Sequence, residues 1–244
     1  MEQTKTSDND TRVKDPKVND SKEKKRDYGN DYFSVTEILG AIRKIGLEMW
    51  YKTHTAQECD EISAKSKEIG TQIHEMIESY VKEKEGVVKT KYKEEVNTGL
   101  KSFLKFRSEH PEIKLKWAEQ KLTNDDLKLN GTVDCIGEEN GDLVIVDWKT
   151  GECKEKELPA IYPEYILQVS AYAALYEICM KPKSSIRKAY VIVFAKDKEA
   201  YALKEVDSEM LFKGYETFGY LLRYVEKNEE LKEMIKKKKG QGGK

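Results

Sequence analysis

At 244 residues the chain has room for one substantial domain, or for one domain with appendages. Lys plus Arg (44) nearly cancels Asp plus Glu (45), so net charge gives no argument for nucleic acid and any basic surface must be local. Charged residues (36%) almost equal hydrophobic ones (38%), which limits the core, and no apolar run approaches the roughly 18–20 residues that cross a bilayer. The N-terminus is polar rather than signal-like, so an intracellular location with no membrane partner is expected.

Residues 1–31 carry only Met1, Val13, Val18 and Tyr28 as hydrophobic residues amid dense mixed charge. Too little apolar surface is present to offset ordering entropy, and disorder is predicted. Ser34-Val35-Thr36-Glu37 has capping-box spacing and opens a first helix to about Lys44. A longer helix is predicted from about Thr55 to Lys84, where Ile69, Ile73, Met76, Ile77, Tyr80 and Val81 recur at helical spacing. A third spans about Glu94 to Glu109 and stops before Pro111. The pattern then changes to period two, with Ile113, Leu115 and Trp117 expected on one strand face that continues to Glu119. Two strands around Leu129–Asp134 and Val144–Thr150 follow, joined by Asn140-Gly141, a strong two-residue hairpin signal.

After a polar loop, Pro163 opens a helix reading through Tyr165, Ile166, Val169, Ala173, Leu175 and Tyr176. Strands at Ala189–Ala195 and Tyr201–Val206 flank a turn at Asp197-Lys198, and Asp207 or Ser208 caps a last amphipathic helix to about residue 235. Residues 236–244 read as a flexible basic tail. The order predicts an α/β domain over 32–232: a helical N-terminal addition (32–110), a core with a central mixed sheet flanked by helices (111–206), and the C-terminal helix. Cys59, Cys135, Cys153 and Cys179 are scattered without a C-x-x-C pair, so free thiols are expected rather than a zinc or iron–sulfur site.

If the Asn140-Gly141 turn closes without a bulge, Asp134 faces Asp147 and Thr132 faces Lys149. Directly opposed strand residues have Cβ atoms about 4.5–5.5 Å apart, where like charges repel. A sheet tolerates such a pair when a divalent cation bridges it or when one carboxylate holds a proton. Lys149 lies two residues beyond Asp147 and shares its face. Two carboxylates and a lysine on one face suit phosphodiester hydrolysis; a solvated outer hairpin face is the plainer reading of the same residues.

Gly131-Thr132-Val133-Asp134, then Asp147-Trp148-Lys149, then Gln168-Val169-Ser170-Ala171-Tyr172 resembles the G-x-x-D, D-x-K and Q-x-x-x-Y elements of the RecB-type branch of the PD-(D/E)xK nuclease superfamily. Gly70-Thr71-Gln72-Ile73-His74 fits the upstream histidine helix of that branch, and Ser34–Leu39 looks like the opening of phage and mitochondrial single-strand exonucleases. The resemblance covers roughly residues 33–205 and implies a restriction-endonuclease-like core. It implies that Asp134, Asp147, the Trp148 carbonyl and His74 hold one or two Mg²⁺ or Mn²⁺ ions. Lys149 would position or activate water, while Gln168 and Tyr172 buttress the site or touch the substrate backbone. Glu119 stands where relatives often carry an acidic residue, Thr132 is a candidate partner for Lys149, and Thr150 closes the D-x-K-T pattern as a structural residue. Taken singly, His74 also reads as an ordinary helix histidine, Tyr172 as core, Gln168 as a strand cap and Glu119 as a solvated carboxylate. Neither the clustered cysteines of iron–sulfur relatives nor a G-x-x-x-x-G-K-[ST] helicase motif is present.

The expected function is a metal-dependent exonuclease of single-stranded DNA or DNA ends in replication, recombination or repair, beside a helicase or a recombination or single-strand-binding partner. Lys114, Lys116 and Lys121 would contact the backbone, and Tyr80, Tyr162 and Tyr165 would offer stacking platforms. A structure-specific endonuclease, a non-catalytic nucleic-acid-binding module and a hydrolase of another phosphodiester stay open.

Overall fold

The computed structural model describes residues 32–154 and 156–241. The expectation for residues 1–31, and that for residues 242–244 of the tail, lie outside this range. Ser34 ends a short strand, β1 (Phe33–Ser34), and caps α1 (Val35–Leu39). Its hydroxyl accepts from Glu37 N at 3.0 Å while the Glu37 carboxylate accepts from Ser34 N at 3.3 Å, the reciprocal box the sequence predicts. The helix stops at Gly40 rather than Lys44, and α2 (Ile45–Thr53) follows, a helix the sequence pattern does not announce. Ile45, Leu47, Met49 and Tyr51 occur at every second position and are exposed, so they form no helical stripe. A second capping box, Thr55 with Glu58, opens α3 (Ala56–Val81), and α4 (Lys93–Glu109) ends at His110, before Pro111.

The strands are β2 (Lys114–Asn124), β3 (Leu129–Glu139), β4 (Asp142–Gly151), β5 (Ala189–Ala195) and β6 (Tyr201–Val206). Between β4 and β5 runs α5 (Pro163–Met180), and α6 (Ser208–Gln241) closes the described chain, continuing past the expected end at residue 235. The sheet is mixed, in order β1-β3-β4-β5-β6 with β2 also on β3. The pairs β1–β3 and β4–β5 are parallel and the others antiparallel. Asn140 (φ 52°) and Gly141 (φ 91°) both take positive φ, the conformation that a type I′ turn demands, and they close the β3–β4 hairpin in the expected register.

Two apolar layers sandwich the sheet. On one face α1, α5 and α6 pack over Val133, Ile136, Ile145 and Val191; on the other α3 and α4 pack over Cys135, Val146, Trp148 and Ile192. Every residue of β5 is buried, as are Val144–Trp148 of β4, because both strands are covered on both faces. One expectation fails in β2. The register shifts between Leu115 and Trp117, so Ile113 and Leu115 join the α3/α4 layer while Trp117 joins the α1/α5/α6 layer. The extra residue of a bulge reverses the alternation beyond it. Among the described residues no helix is long and apolar enough to cross a membrane.

Phe103 of α4 meets Tyr80 and Phe194 edge-on, with centroids 5.1 and 5.6 Å away, and is 2% exposed. Phe103→Ala is expected to lower the unfolding free energy by about 3–5 kcal/mol, read from urea denaturation. Truncating Phe212, which is 62% exposed, should change it by no more than about 0.5 kcal/mol.

Candidate active site

The β3–β4 ladder ends at the Cys135–Val146 pair, while β4 stays on β5 through Gly151. Asp134 and Asp147 lie one step beyond this end. Asp134 is therefore not a ladder partner of Asp147; its Oδ2 accepts from the Trp148 backbone N–H at 3.0 Å. The divergence has two visible accompaniments, one in β3 and one in β2. Val133 and Ile136, three apart, pack on the same face, so strict alternation breaks at Asp134. In β2 the residue across from Asp134, Glu119, has a positive φ of 55°. A fork in the sheet thus delivers two carboxylates to one place without stacking them as an opposed pair.

Asp147 is wholly buried. Its Oδ2 accepts from Lys149 Nζ, and its Oδ1 has no hydrogen-bond partner. Burial pushes the Asp147 carboxyl up to about 6 against the opposing pull of Lys149, with Asp134 reinforcing the rise. Burial likewise lifts Asp134 to about 6, with Lys149 and the Trp148 N–H opposing. Burial disfavours the Lys149 ammonium, yet Asp147 and Asp134 outweigh it and hold its pKa above the ordinary lysine range.

His74 projects from α3, with Nδ1 3.8 Å from Asp134 Oδ1, too long for a hydrogen bond. Burial first, then Lys149, lowers its pKa to about 4, so the imidazole is neutral at pH 7 and keeps a lone pair for a ligand. Gly70, one turn earlier, explains how α3 comes so near. A Cβ there would stand 3.1 Å from Thr150 Oγ1, so the helix rests on the end of β4 through a glycine.

Gln168 and Tyr172 lie buried one turn apart on α5, and Gln168 Nε2 donates to the Tyr172 hydroxyl at 3.1 Å. Burial, then the Asp147 charge, raises the Tyr172 phenol, which puts the ring beside the carboxylates. Gly131 makes room for it: a Cβ would meet Tyr172 Cε1 at 2.8 Å and Val35 Cγ2 at 3.3 Å.

The remaining candidates separate. Glu119 joins Gly70, Thr71, His74, Glu75 and Glu78 around a cavity of about 380 Å³, and burial, then Glu78, raises its carboxyl. Thr132 is not the partner of Lys149. The β3–β4 ladder has already ended at that level, leaving Thr132 paired only with Lys121 of β2, and Lys149 turns to Asp147 instead. Lys114 and Lys116 stand 3.8 and 3.6 Å from Glu138, and Tyr80 leans on Phe103. Sequence reasoning overlooked Glu75 and Glu78, although Glu78 sits four residues from His74 on one helix face. It named Tyr165 as a stacking platform but did not place it against Lys149. The Lys149 ammonium lies 5.6 Å from the Tyr165 ring centroid, and burial, then Tyr162, pushes that phenol up to about 12.

With this geometry established, comparison with known proteins gives the lineage. Residues 47–239 match the PD-(D/E)XK nuclease superfamily. The chain belongs to this superfamily. Its mixed sheet between helical layers is the restriction-endonuclease-like core expected from the sequence. It is also similar to an ATP-dependent helicase/nuclease subunit from Clostridium novyi (strain NT), 32% identical over 77 residues. That match covers 31% of this chain and only 6% of the relative's length. A solved alkaline exonuclease from Laribacter hongkongensis aligns over 82% of this chain and 94% of its own, at 8% identity and a TM-score of 0.35.

Nucleases of this superfamily generally use divalent metal ions. Among the described residues no three His, Cys, Asp or Glu side chains group as a complete ligand set. The donors present nevertheless fit such an ion: the buried Asp147 carboxylate with an unpartnered Oδ1 and the half-buried Asp134 carboxylate, beside a neutral imidazole and the Trp148 backbone. Oxygen-rich donors with one histidine suit Mg²⁺ or Mn²⁺. The packing of Gly131 against Tyr172 has a direct test. Gly131→Ala is expected to destabilise the protein by about 1–3 kcal/mol, and most of that penalty should vanish in a Tyr172→Ala background. Equal penalties in both backgrounds, measured by denaturation, would show that the two residues do not press on one another.

Proposed function

We propose that this chain is a metal-dependent DNA exonuclease that hydrolyses single strands or strand ends. The observation that carries the reading is Asp147: a fully buried carboxylate with one oxygen on Lys149, the other unpartnered, and a second carboxylate alongside. Asp134, Asp147, the Trp148 carbonyl and His74 would hold Mg²⁺ or Mn²⁺. When bound, the ion supplies Lewis acidity toward a phosphoryl oxygen and lowers the pKa of water.

The chain's own groups do the rest. Lys149 keeps its ammonium at neutral pH; with one proton on Asp147, its remaining donors are free to orient water and to offset charge growing on the phosphoryl oxygens. Asp147 anchors that ammonium so that it need not reorganise during reaction. Gln168 and Tyr172 brace the site from α5 through their mutual hydrogen bond. Glu119, Glu75 and Glu78 form an acidic wall beside His74 that disfavours stray phosphates there and leaves the approach to Lys149 as the better-matched path.

DNA as the substrate is what superfamily membership implies. Preference for single strands and ends is supported by the resemblance of Ser34–Leu39 to the opening of single-strand exonucleases. The short match to a helicase/nuclease subunit supports a role in replication, recombination or repair beside a helicase or single-strand-binding partner. Asp147→Ala and Lys149→Ala should each lower cleavage of end-labelled linear single-stranded DNA by at least about 10³-fold. His74→Ala should raise the Mn²⁺ concentration required while changing DNA binding little. Degradation of a covalently closed single-stranded circle by the wild type would replace the exonuclease reading with an endonuclease. Unchanged turnover in Lys149→Ala would remove the mechanism.

A further inference from the structure

The Tyr165 ring beside the Lys149 ammonium has a partner that the hydrolytic machinery does not use. Tyr162 is the residue at the N-cap of α5, and Pro163 at the first helical position fixes the backbone between it and Tyr165. The Tyr165 N–H donates to the Tyr162 carbonyl at 3.0 Å. The two rings meet edge to face, with centroids 5.4 Å apart and an interplanar angle of 87°. Tyr165 packs partly into the α1/α5/α6 layer with the Lys149 ammonium 5.6 Å from its centroid, whereas Tyr162 is 49% exposed. One ring is therefore locked by the core against the lysine, and it holds the other upright in solvent, one ring contact away from that lysine.

Two other exposed tyrosines are engaged elsewhere. Tyr80 leans on Phe103, and Tyr51 packs against Trp50 within α2. Next to Tyr162, the Lys44 ammonium lies 3.6 Å from Glu164, fixing the chain between α1 and α2 at the same corner. A perpendicular ring pair has little rotamer freedom left to lose on binding, and it presents an apolar face beside a group that binds phosphate. That combination matches one ligand chemistry: a flat nucleobase attached to a phosphodiester.

We propose that Tyr162, held by Tyr165, is a stacking subsite for one unpaired nucleobase next to the phosphate addressed by Lys149. A base inside a duplex has both faces covered by its neighbours, so the subsite favours single strands without reading their sequence. The inference rests on the nuclease reading above and assigns to it the residue that selects unpaired DNA.

The test uses the full chain with single-stranded oligodeoxynucleotides in Mn²⁺, intact or carrying an abasic nucleotide at successive positions from the end. Wild-type kcat/KM is expected to fall about tenfold or more when the abasic nucleotide occupies one particular position. Tyr162→Leu should lose a similar factor on intact DNA and no longer notice the missing base, while Tyr162→Phe behaves as wild type. A 2-aminopurine base at that position should be quenched on binding to Lys149→Ala protein, and not on binding to the Lys149→Ala/Tyr162→Leu protein. If Tyr162→Leu matches wild type on both substrates while Lys149→Ala is inactive, the subsite is wrong and the nuclease reading stands. If wild type does not cleave, or Lys149→Ala cleaves as well as wild type, both fall.

Discussion

Burying a carboxylate at the centre of a sheet costs several kcal/mol unless its charge is met, and Asp147 is met only in part. Lys149 takes one oxygen, while the other faces no donor. Much of the surrounding structure serves that unfinished pairing. The sheet forks one residue beyond Cys135 and Val146, so that Asp134 arrives beside Asp147 without being stacked directly on it. His74, beside them, stays neutral because partial burial and the Lys149 charge both disfavour its protonated form. Such a cluster is poor as a stability device and well suited to capturing a cation.

Two glycines set the approach of the helices to this cluster. Gly131 leaves space for the Tyr172 ring from the α5 side, and Gly70 lets α3 settle on Thr150 from the other. The motif positions thus serve packing before chemistry: a side chain at either glycine would press on a neighbour that holds the site in shape. The same division runs through α5, where Gln168 and Tyr172 are buried beneath the carboxylates while Tyr162 and Tyr165 stand at the rim.

Much of this was legible in the sequence, for physical reasons. Capping boxes at Ser34 and Thr55 and the Asn140-Gly141 turn are local signals, and local chemistry decides them. The hairpin register followed from the turn, and with it the neighbourhood of Asp134 and Asp147. What the sequence could not deliver were departures from regular geometry that depend on distant partners. The bulge at Lys116 moved Trp117 to the other face, and the fork separated Thr132 from Lys149. Helix α2 was hidden because its apolar residues meet no core. Glu75 and Glu78 gave only helical spacing, and spacing alone does not say which face of a helix looks into a site.

The central claim is that Asp147 is held unsatisfied so that a divalent cation can satisfy it. Thermal unfolding of the full chain and of Asp147→Asn, each with and without Mn²⁺ and without DNA, tests this most directly. Mn²⁺ should raise the wild-type Tm, because a ligand that binds only the folded state stabilises it. The Asp147→Asn protein should match or exceed the metal-free wild type in Tm and show little response to Mn²⁺. An equal response of the two proteins, or a metal-free Asp147→Asn protein far less stable than wild type, would contradict the account.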